Sequence, residues 1–169
     1  MSRTAVIALL LATAALLQTA VFPHLTIGGF RPDLLLLLTA AFSFRDGPLS
    51  GVLVGFTAGV LTDLLLVEPP LGATAVVLVA VGYSVALLRP YLAASSVTAP
   101  LAVAFATGVL ATAGYGVLSR LLGDPRYTLE LVAASSLIVG LYNALLAPPT
   151  FVLVDTLSER FPPERTAPI

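Results

Sequence analysis

The chain has 169 residues, of which 58% are hydrophobic and 10% are charged, and its formal net charge is −1. A typical soluble domain has about 25% charged residues, so this chain has too little charge to cover a surface that faces water. The same shortage excludes a disordered protein and a nucleic-acid-binding protein, since both need abundant charge. With a mean hydropathy of +1.02, the composition indicates an integral membrane protein.

Reactive and metal-binding residue types are scarce. The chain has no cysteine and one histidine, His24, which excludes a disulfide framework, a thiolate metal site and a His-rich metal cluster. The sequence contains no Ser–His–Asp set at a shared depth, no HExxH motif and no phosphate-binding loop. We therefore expect a protein that is not an enzyme and that has no cofactor and no metal.

Six apolar runs follow one another along the chain, and a helix needs about 20 apolar residues to cross a bilayer. They cover residues 5–22, 34–44, 49–67, 72–88, 99–118 and 131–154. The sequence thus predicts an all-α integral membrane protein with six transmembrane helices. One membrane domain occupies residues 1–154, and a short, charged, Pro-rich tail occupies residues 155–169. The second run is too short to cross unaided, so a re-entrant second segment and five crossings are the alternative.

The first run follows Arg3 but is longer than the apolar region of about 7–15 residues in a signal peptide, so we expect it to be retained as a membrane helix. In the sixth run, Pro148 and Pro149 should kink or break the helix near its cytoplasmic end. Positive residues favour the cytoplasmic side of membrane proteins. Six crossings with cytoplasmic termini place five arginines inside (Arg3, Arg45, Arg89, Arg160 and Arg165) and three outside (Arg31, Arg120 and Arg126).

The third run has the most regular pattern. Gly51, Gly55 and Gly59 recur every four residues, and Asp63 occupies the next step. Residues at i and i+4 lie on one face of a helix, so the four residues form a stripe, which we call the glycine stripe. Three glycines in register indicate close packing against another helix, as in small-xxx-small contacts, although glycine is also generally common in membrane helices.

Asp63 lies about one turn from the outer end of its span. An aspartate at the bilayer centre costs about 2.5–3.5 kcal/mol on insertion scales, so we expect it to face protein and to need hydrogen-bond donors. Three interpretations stay open: a structural anchor to a neighbouring loop, a contact with a partner protein, and a proton or ion relay. Two other polar residues, Gln18 and Asn143, are predicted to make hydrogen bonds between helices.

Several motifs in the first 90 residues resemble those of a known family. Gln18 and Phe22-Pro23 end the first span, and Arg31-Pro32-Asp33 leads into a run of leucines. The third span then reads Gly51-x-x-x-Gly55-Phe56-x-x-Gly59-x-x-x-Asp63. This pattern resembles MreD, the small multispanning subunit of the bacterial rod-shape complex, or elongasome. The resemblance implies helix-packing or interface roles for Pro32, Asp33, Gly51, Gly55, Phe56, Gly59 and Asp63.

The resemblance also implies a function and a location. The chain would be a non-enzymatic scaffold in the cytoplasmic (inner) membrane, acting with MreC, MreB, RodA and a class B penicillin-binding protein in lateral peptidoglycan synthesis and cell shape. Its fold would resemble the six-helix fold of the substrate-binding subunits of energy-coupling-factor transporters. Such a vitamin-binding subunit is the alternative function. As a rod-shape scaffold, the chain would have these proteins and membrane lipid as partners, and no nucleic acid.

Overall fold

The computed structural model describes residues 2–24, 26, 29–66, 71–92 and 98–162. Within these residues the chain forms α-helices and no β-strand, which confirms the all-helical prediction. Short 3₁₀ turns follow the first and the fourth helix, at Phe22–His24 and Arg89–Tyr91. The helices are α1 (Arg3–Ala20), α2 (Leu34–Asp46), α3 (Pro48–Leu66), α4 (Ala73–Leu88), α5 (Thr98–Leu121) and α6 (Leu129–Arg160).

Five of the helices described are long and apolar enough to cross a membrane, namely all except α2. With 13 residues and a rise of 1.5 Å per residue, α2 is about 20 Å long, which is less than the roughly 30 Å of a bilayer core. The chain therefore has the helices of a multi-pass membrane protein, together with one short helix.

The short helix α2 lies at the centre of the bundle. It packs against all five of the long helices, and residues 35–43 are buried without interruption. A helix that is apolar on all sides is stable where every side is covered. Its length need not match the bilayer, because protein surrounds it. The core of the protein is thus built around α2, and the five long helices carry the surface that faces outward.

One end of the bundle holds both the start of α1 and the end of α6, and we call it the terminal end. There the Arg3 guanidinium donates to the Asp46 carboxylate, at the end of α2, and to the carbonyl oxygen of Phe161. Ser158 of α6 donates to the same Asp46 oxygen over 3.2 Å. The opposite end, where α2 begins at Asp33, is called the far end below.

Helix α6 continues through Pro148 and Pro149 without a break, so the break that these prolines predict is absent. At 32 residues the helix is about 48 Å long, so it is longer than a bilayer core is thick. It also includes residues 155–160, which form the first part of the predicted tail. Residues 163–169 of that tail lie outside the described residues.

Candidate functional site

The glycine stripe of α3 lies against α4. A Cβ atom on Gly55 would be 2.7 Å from the carbonyl oxygen of Leu78, and one on Gly59 would overlap the Ala75 backbone. Gly51 faces Gly82 of α4 and the Ser43 side chain of α2. Backbone atoms occupy the positions that side chains on the stripe would need. Glycine at these positions therefore allows α3 and α4 to approach each other closely.

Helix α2 supplies polar side chains to the same contact. The buried Ser43 hydroxyl donates to the carbonyl oxygen of Gly82, and the methyl group of Thr39 lies against the positions of Gly55 and Gly82. Thr39 also donates to the Leu35 carbonyl oxygen of its own helix over 2.8 Å. The sequence analysis did not identify these residues, since a short run rich in leucine carries no signal for which neighbour its few hydroxyls meet.

Phe56 lies on a different face of α3 from the glycine stripe. Its side chain is 56% exposed, and Leu49 and Leu53 on the same helix are similarly exposed. The spacing of four and then three residues places these three side chains on one surface of the helix. We call this surface the Phe56 face. It is apolar and directed away from the bundle.

Asp63 is a residue of α3. It is 94% buried, and its side chain lies beside the start of α4. Its Oδ2 atom accepts hydrogen bonds from the backbone N–H groups of Gly72, over 2.9 Å, and Ala75, over 3.4 Å. Gly72 precedes α4 with a positive φ of 90° and has no side chain that caps the helix. The first N–H groups of a helix lack partners within the helix. The side chain of Asp63, on α3, therefore caps the start of α4, which Gly72 cannot do because it has no side chain.

Asp33 is the N-cap of α2, with Oδ1 accepting from the Leu36 N–H over 3.0 Å. Gln18 of α1 donates to the same oxygen over 3.3 Å and accepts from the Leu35 N–H over 3.3 Å. Asn143 of α6 accepts from the backbone N–H of Asp33 over 3.1 Å. Side chains from α1 and α6 thus join at the start of the central helix, and Pro32 is buried beside them.

A cavity of about 570 Å³ lies at the far end, between the starts of α2 and α4 and the inner surfaces of α5 and α6. Of the residues that the sequence predicts for helix packing, interfaces or hydrogen bonds between helices, it brings together four: Gln18, Pro32, Asp33 and Asp63. The glycine stripe above Asp63 and the Phe56 face lie outside it. Residues to which the sequence analysis assigned no packing or interface role complete the lining, among them Arg31, Tyr115, Arg126 and Tyr127.

In the loop between α5 and α6, beside this cavity, charged and aromatic side chains contact one another. Arg126 makes an ion pair with Asp124 over 2.7 Å, and the hydrogen bonds from the Arg126 side chain and backbone lower the pKa of the Asp124 carboxyl. The rings of Tyr115 and Tyr127 meet edge to face with their centres 5.7 Å apart. Within the part of the chain that the structure describes, no cluster of three or more His, Cys, Asp and Glu side chains has the spacing of a metal site.

Comparison with known proteins identifies the family. The family model for the rod shape-determining protein MreD matches residues 2–157, which is nearly the whole chain. Neither the search of curated proteins nor the search of solved structures gave a match. The resemblance found in the sequence motifs is confirmed, and the chain belongs to the MreD family of rod shape-determining membrane proteins.

Proposed function

We propose that this protein is a non-enzymatic scaffold subunit of the rod-shape complex, the elongasome, and that it helps to organise lateral peptidoglycan synthesis. The family match over residues 2–157 carries this proposal. The structure agrees with a structural role for the buried acids, because Asp33 and Asp63 each cap the start of a helix. We assign no catalytic residue.

The proposed partners are MreC, MreB, RodA and a class B penicillin-binding protein. The Phe56 face supports contact with a membrane helix of one of them, because it presents an apolar ridge that none of the described helices covers. The glycine stripe is directed to α4 within the same chain, so we assign it to the internal packing that holds the Phe56 face in position. Pro32 has the corresponding role at the start of α2.

For the location, we propose the cytoplasmic membrane with both termini in the cytoplasm. The contact of Arg3 with Phe161 supports termini on one side, which requires an even number of crossings. In this proposal α2 makes the sixth crossing inside the bundle. Arg45 also lies at the terminal end, 3.4 Å from Asp155, in keeping with positive residues on the cytoplasmic side.

We also propose a single membrane domain over residues 1–154 and a fold like that of the substrate-binding subunits of energy-coupling-factor transporters. The central, fully covered α2 and the five surrounding helices support one cooperative unit. The vitamin-transport alternative has no support from the comparisons, and we do not propose it.

Purification of the tagged full chain from its native host in a mild detergent tests the scaffold proposal. We expect MreC and a RodA-type protein to co-purify, and Phe56→Ala to reduce their recovery. Leu137→Ala on α6 is the matched control, because Leu137 is equally exposed at 55%. Recovery of two ATPases with a membrane coupling subunit, or of neither MreC nor RodA, would contradict the scaffold function. Equal recovery with both variants would contradict the role of the Phe56 face.

A further inference from the structure

The cavity at the far end has the volume and the layered lining of a ligand site. Its volume of about 570 Å³ lies within the range of about 300–1,000 Å³ that ligand pockets occupy. Polar residues line it near the loops. Apolar residues line its inner part, at Val77, Leu78, Ala111 and Val139. An occupant with a polar end and an apolar end would match this division.

Two carboxylates of the lining each retain an oxygen for a ligand. Asp33 uses Oδ1 for the N–H of Leu36 and the side chain of Gln18, and Asp63 uses Oδ2 for the start of α4. The second oxygen of each carboxylate accepts no hydrogen bond from the residues that the structure describes, and neither is a fully buried atom. Because an ionised carboxylate only accepts hydrogen bonds, a ligand at these oxygens must be a donor.

One positively charged residue of the lining, Arg31, is also available to a ligand. Arg126 lines the cavity but is paired with Asp124, which lies outside it, whereas Arg31 makes no ion pair within 4 Å and no hydrogen bond in the described part of the chain, and it interacts with the Asp33 charge only at longer range. The starts of α2 and α4 each add about half a positive charge near the two carboxylates. The lining is therefore close to neutral in sum but presents acceptors and a guanidinium together, which favours a ligand that carries both signs over a simple ion.

We propose that the cavity binds the polar end of a zwitterionic amphiphile that has a primary ammonium group and an anionic group. The ammonium donates to the open oxygens of Asp33 and Asp63, and the anionic group pairs with Arg31. The apolar part of the ligand lies along Leu78 and Val139. Tyr115 at the edge of the cavity adds an aromatic surface, which attracts ammonium groups. This site is independent of the proposed scaffold function and needs only the described bundle.

Binding to the purified full chain in dodecyl maltoside tests the site, with calorimetry for affinity and thermal unfolding for stabilisation. The probe is dihexanoyl phosphatidylethanolamine. Dihexanoyl phosphatidylcholine is the matched comparison, because it keeps the phosphate, the chains and the positive charge but has no N–H donor. Dihexanoyl phosphatidylglycerol lacks the ammonium. We expect the ethanolamine lipid to bind and to raise the melting temperature, and the other two to bind at least tenfold more weakly.

Variants locate the binding. Asp33→Asn and Asp63→Asn keep an oxygen for the helix caps, and each should weaken binding of the ethanolamine lipid about tenfold or more, because each removes a charge-assisted hydrogen bond. Thr112→Phe places a larger side chain in the cavity, keeps both acids, and should abolish binding. Asp155→Asn, an exposed acid at the terminal end and outside the cavity, is the control and should leave the affinity unchanged. Circular dichroism verifies that each variant is folded.

Free O-phosphoethanolamine distinguishes the source of the polar group. If it binds with the same dependence on Asp33 and Asp63, a soluble zwitterion suffices, and if only the lipid binds, the apolar part is required. Both results support the site. Equal binding of the choline and ethanolamine lipids, absence of binding, or wild-type affinity in the folded Asp33→Asn and Asp63→Asn variants would overturn it. Co-purification of MreC and RodA is measured separately, so either proposal can fail alone.

Discussion

Alanine at Gly59 tests how closely α3 and α4 must approach. A Cβ atom there would lie 2.6 Å from the backbone nitrogen of Ala75 and 2.9 Å from the carbonyl carbon of Thr74. Ordinary van der Waals contact begins at 3.4 Å, and the Cα atom of Ala75 is nearer still than its nitrogen, so the helices must separate locally by at least about 0.8 Å. A gap of about 0.5–1 Å forfeits a quarter to a half of the dispersion energy of the atoms concerned. Neither backbone can rotate out of the way as a side chain does.

Gly114→Ala is the matched control, because it makes the same chemical change in α5. There the new Cβ would meet only the Val77 side chain, at 3.8 Å. Both variants gain about 0.8–1.0 kcal/mol of helix propensity on the scale measured in water, so this gain cancels in the comparison. Overpacking costs about 1–3 kcal/mol. We therefore expect Gly59→Ala to be less stable than Gly114→Ala by about 1–3 kcal/mol.

Unfolding of both variants in detergent micelles, followed by circular dichroism, measures this difference. Gly114→Ala should melt at or above the wild-type temperature, and Gly59→Ala below it. If the two variants have the same stability as each other, the close packing of the glycine stripe against α4 does not limit the stability of the protein, and the reasoning fails.

Three further predictions concern polar contacts and topology. Asp63→Asn should be nearly as stable as the wild type, whereas Asp63→Leu should lose about 0.5–2 kcal/mol, the usual value of a helix cap; equal thermal stabilities would contradict the capping role. Arg3→Ala leaves the Asp46 carboxylate, which is 97% buried, without its ion-pair partner. It should lower the stability by about 1–3 kcal/mol and lower the melting temperature, with Arg3→Lys closer to the wild type. Since the chain has no cysteine, single cysteines at Ser2, Asp124 and Glu159 report topology: an impermeant maleimide added to intact cells should label only the Asp124 position. Labelling of just one of the two end positions would contradict an even number of crossings.

Much of this architecture is encoded locally in the sequence. Each helix lies on one apolar run, because a chain in a bilayer must satisfy its backbone hydrogen bonds within the helix. The four-residue spacing from Gly51 to Asp63 likewise determines that these side chains share one face, since that follows from the helical repeat alone. The family motifs in the first 90 residues were sufficient to predict membership of the MreD family.

These local patterns could not show which helix packs against each helical face. The sequence analysis predicted that Gln18 and Asn143 make hydrogen bonds between helices, but it could not name Asp33 as their shared partner, because those contacts depend on how α1, α2 and α6 pack. It also treated α2 as a short and doubtful span, although the structure makes it the central helix. Arg31 stood out only as part of a family motif, because its significance, like that of Tyr115, comes from the cavity that both residues line.

The sequence by itself therefore determined the class of the protein, the positions of its helices and its family. The tertiary structure alone decided that α2 is covered by five longer helices, that Asp63 caps α4, and that a cavity lies at the far end while Arg3 joins both termini at the other. The reason is physical. Apolar runs and helical faces depend on residues that are close in the chain, whereas a buried polar group is stable only beside a partner. For Asp63, Asp33 and Arg3, packing brings partners from other helices within reach.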